Sequence, residues 1–295
     1  MKETLESLSH KLSMAGELNG VVRTMKALSA SNLLQYEHSV QALDQYVNTL
    51  RMGLRVCLSY HPSEVQGSFG DPEECVVIVF GSGQGLAGQF NEIVSHHASV
   101  QATDLAVHTE WWTVGPYLPA HLEQLGFDVT KKFEVPHAID SINFLVEQIL
   151  VNTDLKLESR PATSFYLCHN APDKGTGYLP NFIRYLPLDQ GWLKSFSRDV
   201  WPTRQHPEAL PNPAQGLKSL LREYLFVSIY RASAESLASE NISRLSAMER
   251  AEKNIADIIG ELTQQYHQLR QSSIDEEMFD VIAGAQSIHN TDSQG

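Results

Sequence analysis

Three glycines in Gly83-Gln84-Gly85-Leu86-Ala87-Gly88 stand at the spacing of a dinucleotide fingerprint, in which backbone N–H groups approach a pyrophosphate with no side chain in the way. The run follows a β-branched apolar segment, opens a segment of helical pattern, and is followed by Glu110 in the next strand pattern, where a ribose hydroxyl would need an acceptor. Hydride transfer by a dinucleotide-dependent oxidoreductase is the chemistry such a Gly83–Gly88 loop would serve. Against it, Gly81 and Ser82 lengthen the loop beyond the usual tight turn, and no catalytic set stands beside it. The 12 histidines are scattered, and neither His96-His97 nor His108-x-Glu110 has metal-ligand spacing. No nucleophile elbow, Gly-Lys-Ser or Gly-Lys-Thr phosphate loop, or paired-carboxylate motif is present. Cys57, Cys75 and Cys168 lie too far apart for a metal knuckle or redox pair, and read as small buried hydrophobes. The sequence therefore calls for no metal and no cofactor.

The elements around this loop follow from proline placement. All 13 prolines fall between Pro62 and Pro213, leaving proline-free ends of 61 and 82 residues. Proline inside a helix costs about 3 kcal/mol, so the pattern predicts two very long helices around a central domain. Leu33, Tyr36, Val40, Leu43, Val47, Leu50 and Leu54 alternate steps of three and four, a heptad seam that Leu5, Leu8, Leu12, Ala15, Leu18, Val22 and Met25 continue with one irregular step. In the last part Leu237, Asn241, Leu245, Met248, Ala251, Ile255, Ile258, Leu262, Tyr266 and Leu269 keep a similar period. One end enters the central domain and the other leaves it, so the two pair antiparallel. At about 1.5 Å per residue they would reach roughly 85 and 110 Å, and the longer C-terminal helix would overhang. Ile274, Met278, Ile282, Ala285 and Ile288 would then form an apolar stripe without an intramolecular partner.

The middle alternates strand and helix signals: strands at Cys75–Phe80, Leu105–Val114, Phe127–Phe133, Ser164–His169 and Tyr178–Leu186, and helices at Gln89–Gln101, Pro119–Leu125 and Ile139–Val151. Asp189 to Gln215 reads as a loop. The expected fold is α/β, a small Rossmann-like sheet domain at 62–213 on an antiparallel two-helix coiled coil made by 1–61 and 214–295.

Composition narrows the function classes. The chain has 295 residues, 42% apolar, with 22 Lys and Arg against 35 Asp and Glu. A net charge of -13 disfavours nucleic acid or anionic lipid as a broad partner. The apolar run Val76–Phe80 is too short to span a bilayer, and Met1–Leu12 lacks the apolar core of a secretory signal.

Ser236-Leu237-Ala238-Ser239-Glu240-Asn241, with Arg244, Ala247-Met248 and Lys253-Asn254 behind it, resembles the C-terminal helix of the gamma subunit of F-type ATP synthases. The tail resembles the gamma signature too: Ile274, Glu277, Asp280 and Gly284-Ala285 stand where that signature has an aliphatic residue, Glu, an acid and Gly-Ala, and only Asp275 departs from its Thr. Met25-Lys26 with Ser29-Ala30-Ser31 matches the family's first helix, although Asn32 replaces a lysine there. Gly85-Leu86-Ala87-Gly88 with Asn91 matches the family's Gly-Leu-Cys-Gly turn.

The resemblance, to a divergent, second-type gamma, implies a non-catalytic rotor that couples ion-driven rotation to ATP synthesis or hydrolysis. It implies alpha and beta subunits, an epsilon subunit and a membrane c-ring as partners, and a peripheral place at the cytoplasmic face of a prokaryotic plasma membrane. Contacts with partners would fall to Arg23, Met25, Lys26, Glu240, Asn241, Arg244, Met248, Lys253, Met278 and Ile282, with Gly85 and Gly88 shaping the turn. Residues 1 to 58 carry six basic and five acidic side chains, so shape rather than charge is expected to dominate the contacts. A free coiled-coil scaffold with an α/β head is the other alternative.

Overall fold

The structure, a computed structural model, describes residues 4–60, 73–105, 107–173, 175, 177–188, 207 and 212–292, the side chains of 59–60 and 283–292 excepted. In chain order the elements are α1 (Leu5–Tyr60), β1 (Glu74–Phe80), α2 (Phe90–Asp104), β2 (His108–Val114), α3 (Leu118–Gln124), β3 (Val129–Phe133), α4 (Ile142–Ser159), β4 (Thr163–Pro172), β5 (Tyr178–Leu186) and α5 (Pro213–Asp292). The expected 189–215 loop lies mostly outside the described residues, and its last three already belong to α5. Among the described residues no helix is long and apolar enough to cross a membrane.

The chain divides into two compact units, Ser29–Leu245 and a second made of Met1–Leu28 with Ser246–Gly295. In the larger unit a five-stranded sheet runs β3-β2-β1-β4-β5. Strands β1, β2, β3 and β4 are parallel and β5 is antiparallel to β4. β1 is a continuous β-branched run buried along its whole length, as a central parallel strand covered on both faces must be. Its alternate residues serve opposite faces. Cys75, Val77 and Val79 pack with Val94 and Ala98 of α2 and Leu118 and Leu122 of α3. Val76, Ile78 and Phe80 pack with Ile142, Val146 and Ile149 of α4, with Tyr36 of α1 and with Ile229, Leu237 and Ala238 of α5.

Within this unit α1 and α5 pair antiparallel. Leu54 and Cys57 meet Leu217, the Tyr46 hydroxyl donates to Glu223 at 2.8 Å, and Arg231 holds Asp44 at 3.0 Å. The predicted seam from Leu33 to Leu54 is the inward stripe of α1, with Tyr36, Leu50 and Leu54 buried.

The smaller unit is a helix pair. Val22, Met248 and Ile255 form its core, with Met25, Ala251 and Ile259 against them. The periodicity needs two corrections here. Leu18 is 53% exposed while Asn19 turns inward, and Ile258 is 49% exposed while Ile259 packs. The irregular step after Ala15 becomes a step of four to Asn19, which keeps the 3-4 alternation as far as Val22 and moves the irregularity to the step from Val22 to Met25. Gly16 and Gly20, which cost a helix stability and so point to either a close helix approach or a local loosening, have no neighbouring atom within 4 Å of where a Cβ would stand, which leaves the second.

Candidate functional site

Because β1, β2 and β4 are parallel and β1 lies between the other two, the loop following β1 opens at the point where the strand order reverses, the usual ligand crevice of such sheets. Here the crevice is filled by the chain itself. The four consecutive amides of the loop are all satisfied: Gly81 N–H donates to the Val114 carbonyl at 2.8 Å, and Ser82 N–H to Asn91 Oδ1 at 2.9 Å. Gly83 N–H and Gln84 N–H donate to the two carboxylate oxygens of Glu240, at 3.1 and 3.3 Å. None of these four amides remains for a pyrophosphate.

The glycines serve close packing. A Cβ on Gly81 would stand 2.9 Å from Leu118 Cβ, and one on Gly83 would stand 2.9 Å from Val135 Cγ1. Gly88 has φ of 58°, in the left-handed region that glycine enters without strain, and Leu86 shares that region at 61°. At Gly85 the nearest atom to a Cβ is the Tyr117 hydroxyl at 3.7 Å, so neither space nor φ requires glycine there.

From the other side α5 presents a polar face. Arg244 bonds the Glu240 carboxylate and donates to the carbonyls of Gln84 at 3.1 Å and Gly85 at 3.4 Å. The Ser243 hydroxyl donates to the Ala87 carbonyl and lies 3.1 Å from Tyr178 Oη. Ser239 donates to the Asn170 carbonyl at 3.0 Å, and the Asn170 carboxamide donates to the carbonyl of Phe90 at 3.1 Å. Glu240, Asn241 and Arg244 are each about 5% exposed or less. Serine and alanine at 236, 238 and 239 are small enough for the helix to lie this close to the strand ends.

One turn earlier, Glu235 receives a hydrogen bond from His169 Nε2 at 2.8 Å and from Arg231 Nε at 2.7 Å. Burial would raise its carboxyl pKa, but the His169 and Arg231 bonds hold it below the usual carboxylate range. These residues and Tyr185 border a cleft of about 510 Å³ between β4, β5 and α5. His169, Glu235 and Arg231 carry no motif spacing in the sequence. Arg231 and Glu235 stand one turn apart on α5, and the register of β4 against α5 brings His169 to them.

Glu110, which the fingerprint would place on a ribose, lies at the opposite end of the sheet, near the start of β2. It accepts from Trp112 Nε1 at 2.8 Å, Thr130 Oγ1 at 2.9 Å and Lys156 Nζ at 2.6 Å. Lys156 also pairs with Glu74 at 2.8 Å, and Arg160 with Glu74 at 2.9 Å. Burial works to raise both carboxyls, yet the hydrogen bonds and charge of Lys156 hold Glu110 and Glu74 below their ordinary values. An acid so committed, at the opposite end of the sheet from the loop, leaves the oxidoreductase reading without support.

The other sequence-derived positions separate by burial. Arg23 pairs with Glu252 at 2.9 Å, and Lys26 reaches Glu252 at 3.2 Å and Glu249 at 3.8 Å. Lys253, Met278 and Ile282 are exposed, the last two at 52% and 45%. Glu240, Asn241, Arg244 and Met248 are buried in contacts within the chain.

A family model described as ATP synthase matches residues 4–288. The chain belongs to the ATP synthase family. Its relatives include the ATP synthase gamma chain of Lachnoclostridium phytofermentans, 27% identical over 301 residues, covering 98% of this chain and 97% of that protein. The ATP synthase gamma chain of Anaeromyxobacter sp. (strain Fw109-5) is 25% identical over 297 residues, covering 97% and 99%. In fold, this ATP synthase-family chain is similar to one in the Euglena gracilis mitochondrial ATP synthase assembly of OSCP, F1 and c-ring. That match has a TM-score of 0.66 at 14% identity and covers 97% of this chain and 94% of that one. A chain of the Euglena rotor matches with a TM-score of 0.62 at 14% identity, covering 92% and 98%.

Proposed function

We propose that the chain is the gamma-type rotor of an F-type ATP synthase, coupling ion-driven rotation to ATP synthesis or hydrolysis in a ring of alpha and beta subunits. The observation that carries this reading is near-complete mutual coverage with gamma chains, 97–98% of this chain and 97–99% of theirs. It is supported by two helices of 56 and 80 residues, longer than any small-molecule site would need. On this reading the chain breaks no bond itself. A rotor that touches each catalytic pair differently shifts each pair's nucleotide affinity by the difference in contact free energy. Its partners are the alpha and beta subunits, an epsilon subunit and the c-ring, at the cytoplasmic face of a prokaryotic plasma membrane. Residues 62–213 face the epsilon subunit and c-ring, while 1–61 and 214–295 serve the catalytic ring.

Burial refines the contact set. Arg23, Lys26, Lys253, Met278 and Ile282 remain available to touch catalytic subunits, with Met25 half-buried behind them. Glu240, Asn241, Arg244 and Met248 act from inside, by holding α5 in place. The test is reconstitution with alpha and beta subunits from the same source. Co-elution of one chain per catalytic ring, and ATP hydrolysis that drives its rotation, is the expected result. Failure to assemble with catalytic subunits overturns the reading.

A further inference from the structure

We propose that the loop after β1 is an anion cradle whose ligand is this chain's own Glu240 carboxylate. Two successive amides, Gly83 and Gln84, each donate to one carboxylate oxygen, the bidentate arrangement by which backbone nests hold free anions. Arg244 supplies the charge. It bonds the carboxylate and, with its remaining donors, the carbonyls of Gln84 and Gly85, so the cradle is closed on both sides. Packing excludes water: the side chains of Glu240 and Arg244 are 5% and 6% exposed. Gly83, where a Cβ would stand 2.9 Å from Val135, is one of the two donors. A glycine-rich loop at the crevice of a parallel sheet thus keeps the recognition geometry for an anion, and the anion arrives on a helix of the same chain. The cradle fastens the 235–244 stretch of α5 to the sheet by charge.

The proposal has a sharp chemical consequence. Glu240→Ala removes a group the size of acetate and leaves the Arg244 charge buried without a partner, so acetate should enter the vacancy. In thermal unfolding of the full-length chain at fixed ionic strength, Glu240→Ala is expected to melt below wild type and to recover saturably when acetate replaces chloride. The gain is roughly 3 °C at acetate tenfold above its dissociation constant. Wild type should not respond. Nor should Glu240→Gln, whose neutral amide fills the space. Equal stability of Glu240→Ala and wild type, or an acetate effect of the same size on all three proteins, overturns the proposal. If Glu240→Ala does not fold, hydrogen exchange on Glu240→Gln decides. Loss of the charge-assisted bonds should speed exchange of the Gly83 and Gln84 amides about tenfold while leaving Val77 in β1 unchanged. Unchanged rates at both loop amides overturn it equally.

Discussion

Gly83 and Gly85 sit two residues apart in the same loop and should respond differently to the same change. A methyl group at 83 meets Val135 at 2.9 Å, inside any ordinary carbon contact, whereas at 85 the nearest atom is 3.7 Å away. Gly83→Ala is therefore expected to destabilise by about 2 kcal/mol through overpacking, and Gly85→Ala to be close to neutral. Urea midpoints of the two variants check it, and a Gly85→Ala loss equal to that of Gly83→Ala would contradict the geometry. The Lys156 cluster gives a pH prediction. Glu74 and Glu110 are held below their ordinary values in the folded chain, so their contribution is present above the unfolded carboxyl range and disappears as pH falls through the lowered folded values. Without Lys156 burial still raises both while their largest lowering cause is gone, leaving Arg160 and Thr163 at Glu74 and Trp112 and Thr130 at Glu110 to oppose it. Lys156→Met is expected to lose about 3 kcal/mol at neutral pH and to show a shallower decline toward about pH 4 than wild type. An unchanged acid slope would show that Lys156 does not set those titrations.

At the scale of elements, the pairing of α1 with α5 in the smaller unit rests on packing. Val22 and Met248 are 6% and 3% exposed, whereas the Arg23 side chain is 67% exposed. Val22→Ala should cost about 2 kcal/mol, while Arg23→Ala should leave the denaturation midpoint where it is at moderate salt. The long helices were legible because proline exclusion and a 3-4 apolar alternation are local signals, and β1 because five β-branched or aromatic residues follow one another. The misplaced residues are also instructive. A count of apolar residues puts Leu18 in the seam and leaves Asn19 out, because one-dimensional reading ranks hydrophobicity above phase. The fingerprint was legible as a turn but not as a filled one. Its occupant, Glu240, lies more than 150 residues away in sequence, and only the close lie of a serine- and alanine-rich helix over the strand ends brings it there. The His169–Glu235 pair left no trace in the sequence for the same reason.

At the scale of the whole molecule, the last part of α5 stands apart in character. In the smaller unit Arg23 lies opposite Glu252 and Lys26 opposite Glu249, a register that sets the start of α1 near Arg270. Beyond it Ile274, Met278, Phe279, Val281 and Ile282 are all exposed, by 45% to 72%. On the rotor reading this stretch contributes contacts only in the assembled complex. Removing residues from about 274 onward is expected to leave the unfolding midpoint of the isolated chain unchanged while lowering ATP-driven ion pumping in the reconstituted enzyme. A truncated chain that pumps as well as the full one would mean that the exposed stripe does not engage the catalytic ring.

The three thiols carry a consequence of another kind. Cys57, Cys75 and Cys168 are all buried, and burial raises the pKa of each, so little thiolate is presented to solvent in the folded chain. They sit in different neighbourhoods, Cys57 where α1 meets Leu217 and the other two in the core under β1 and β4. Each is thus a silent clock for the opening of its own region. Timed alkylation followed by mass spectrometry would read the order in which the regions open, with Cys57, in the smaller cluster, labelled before Cys75 and Cys168. A cysteine introduced on the surface would carry a dye or bead with no background from the native three, so the same chemistry that hides them makes the chain ready for attachment at a chosen point.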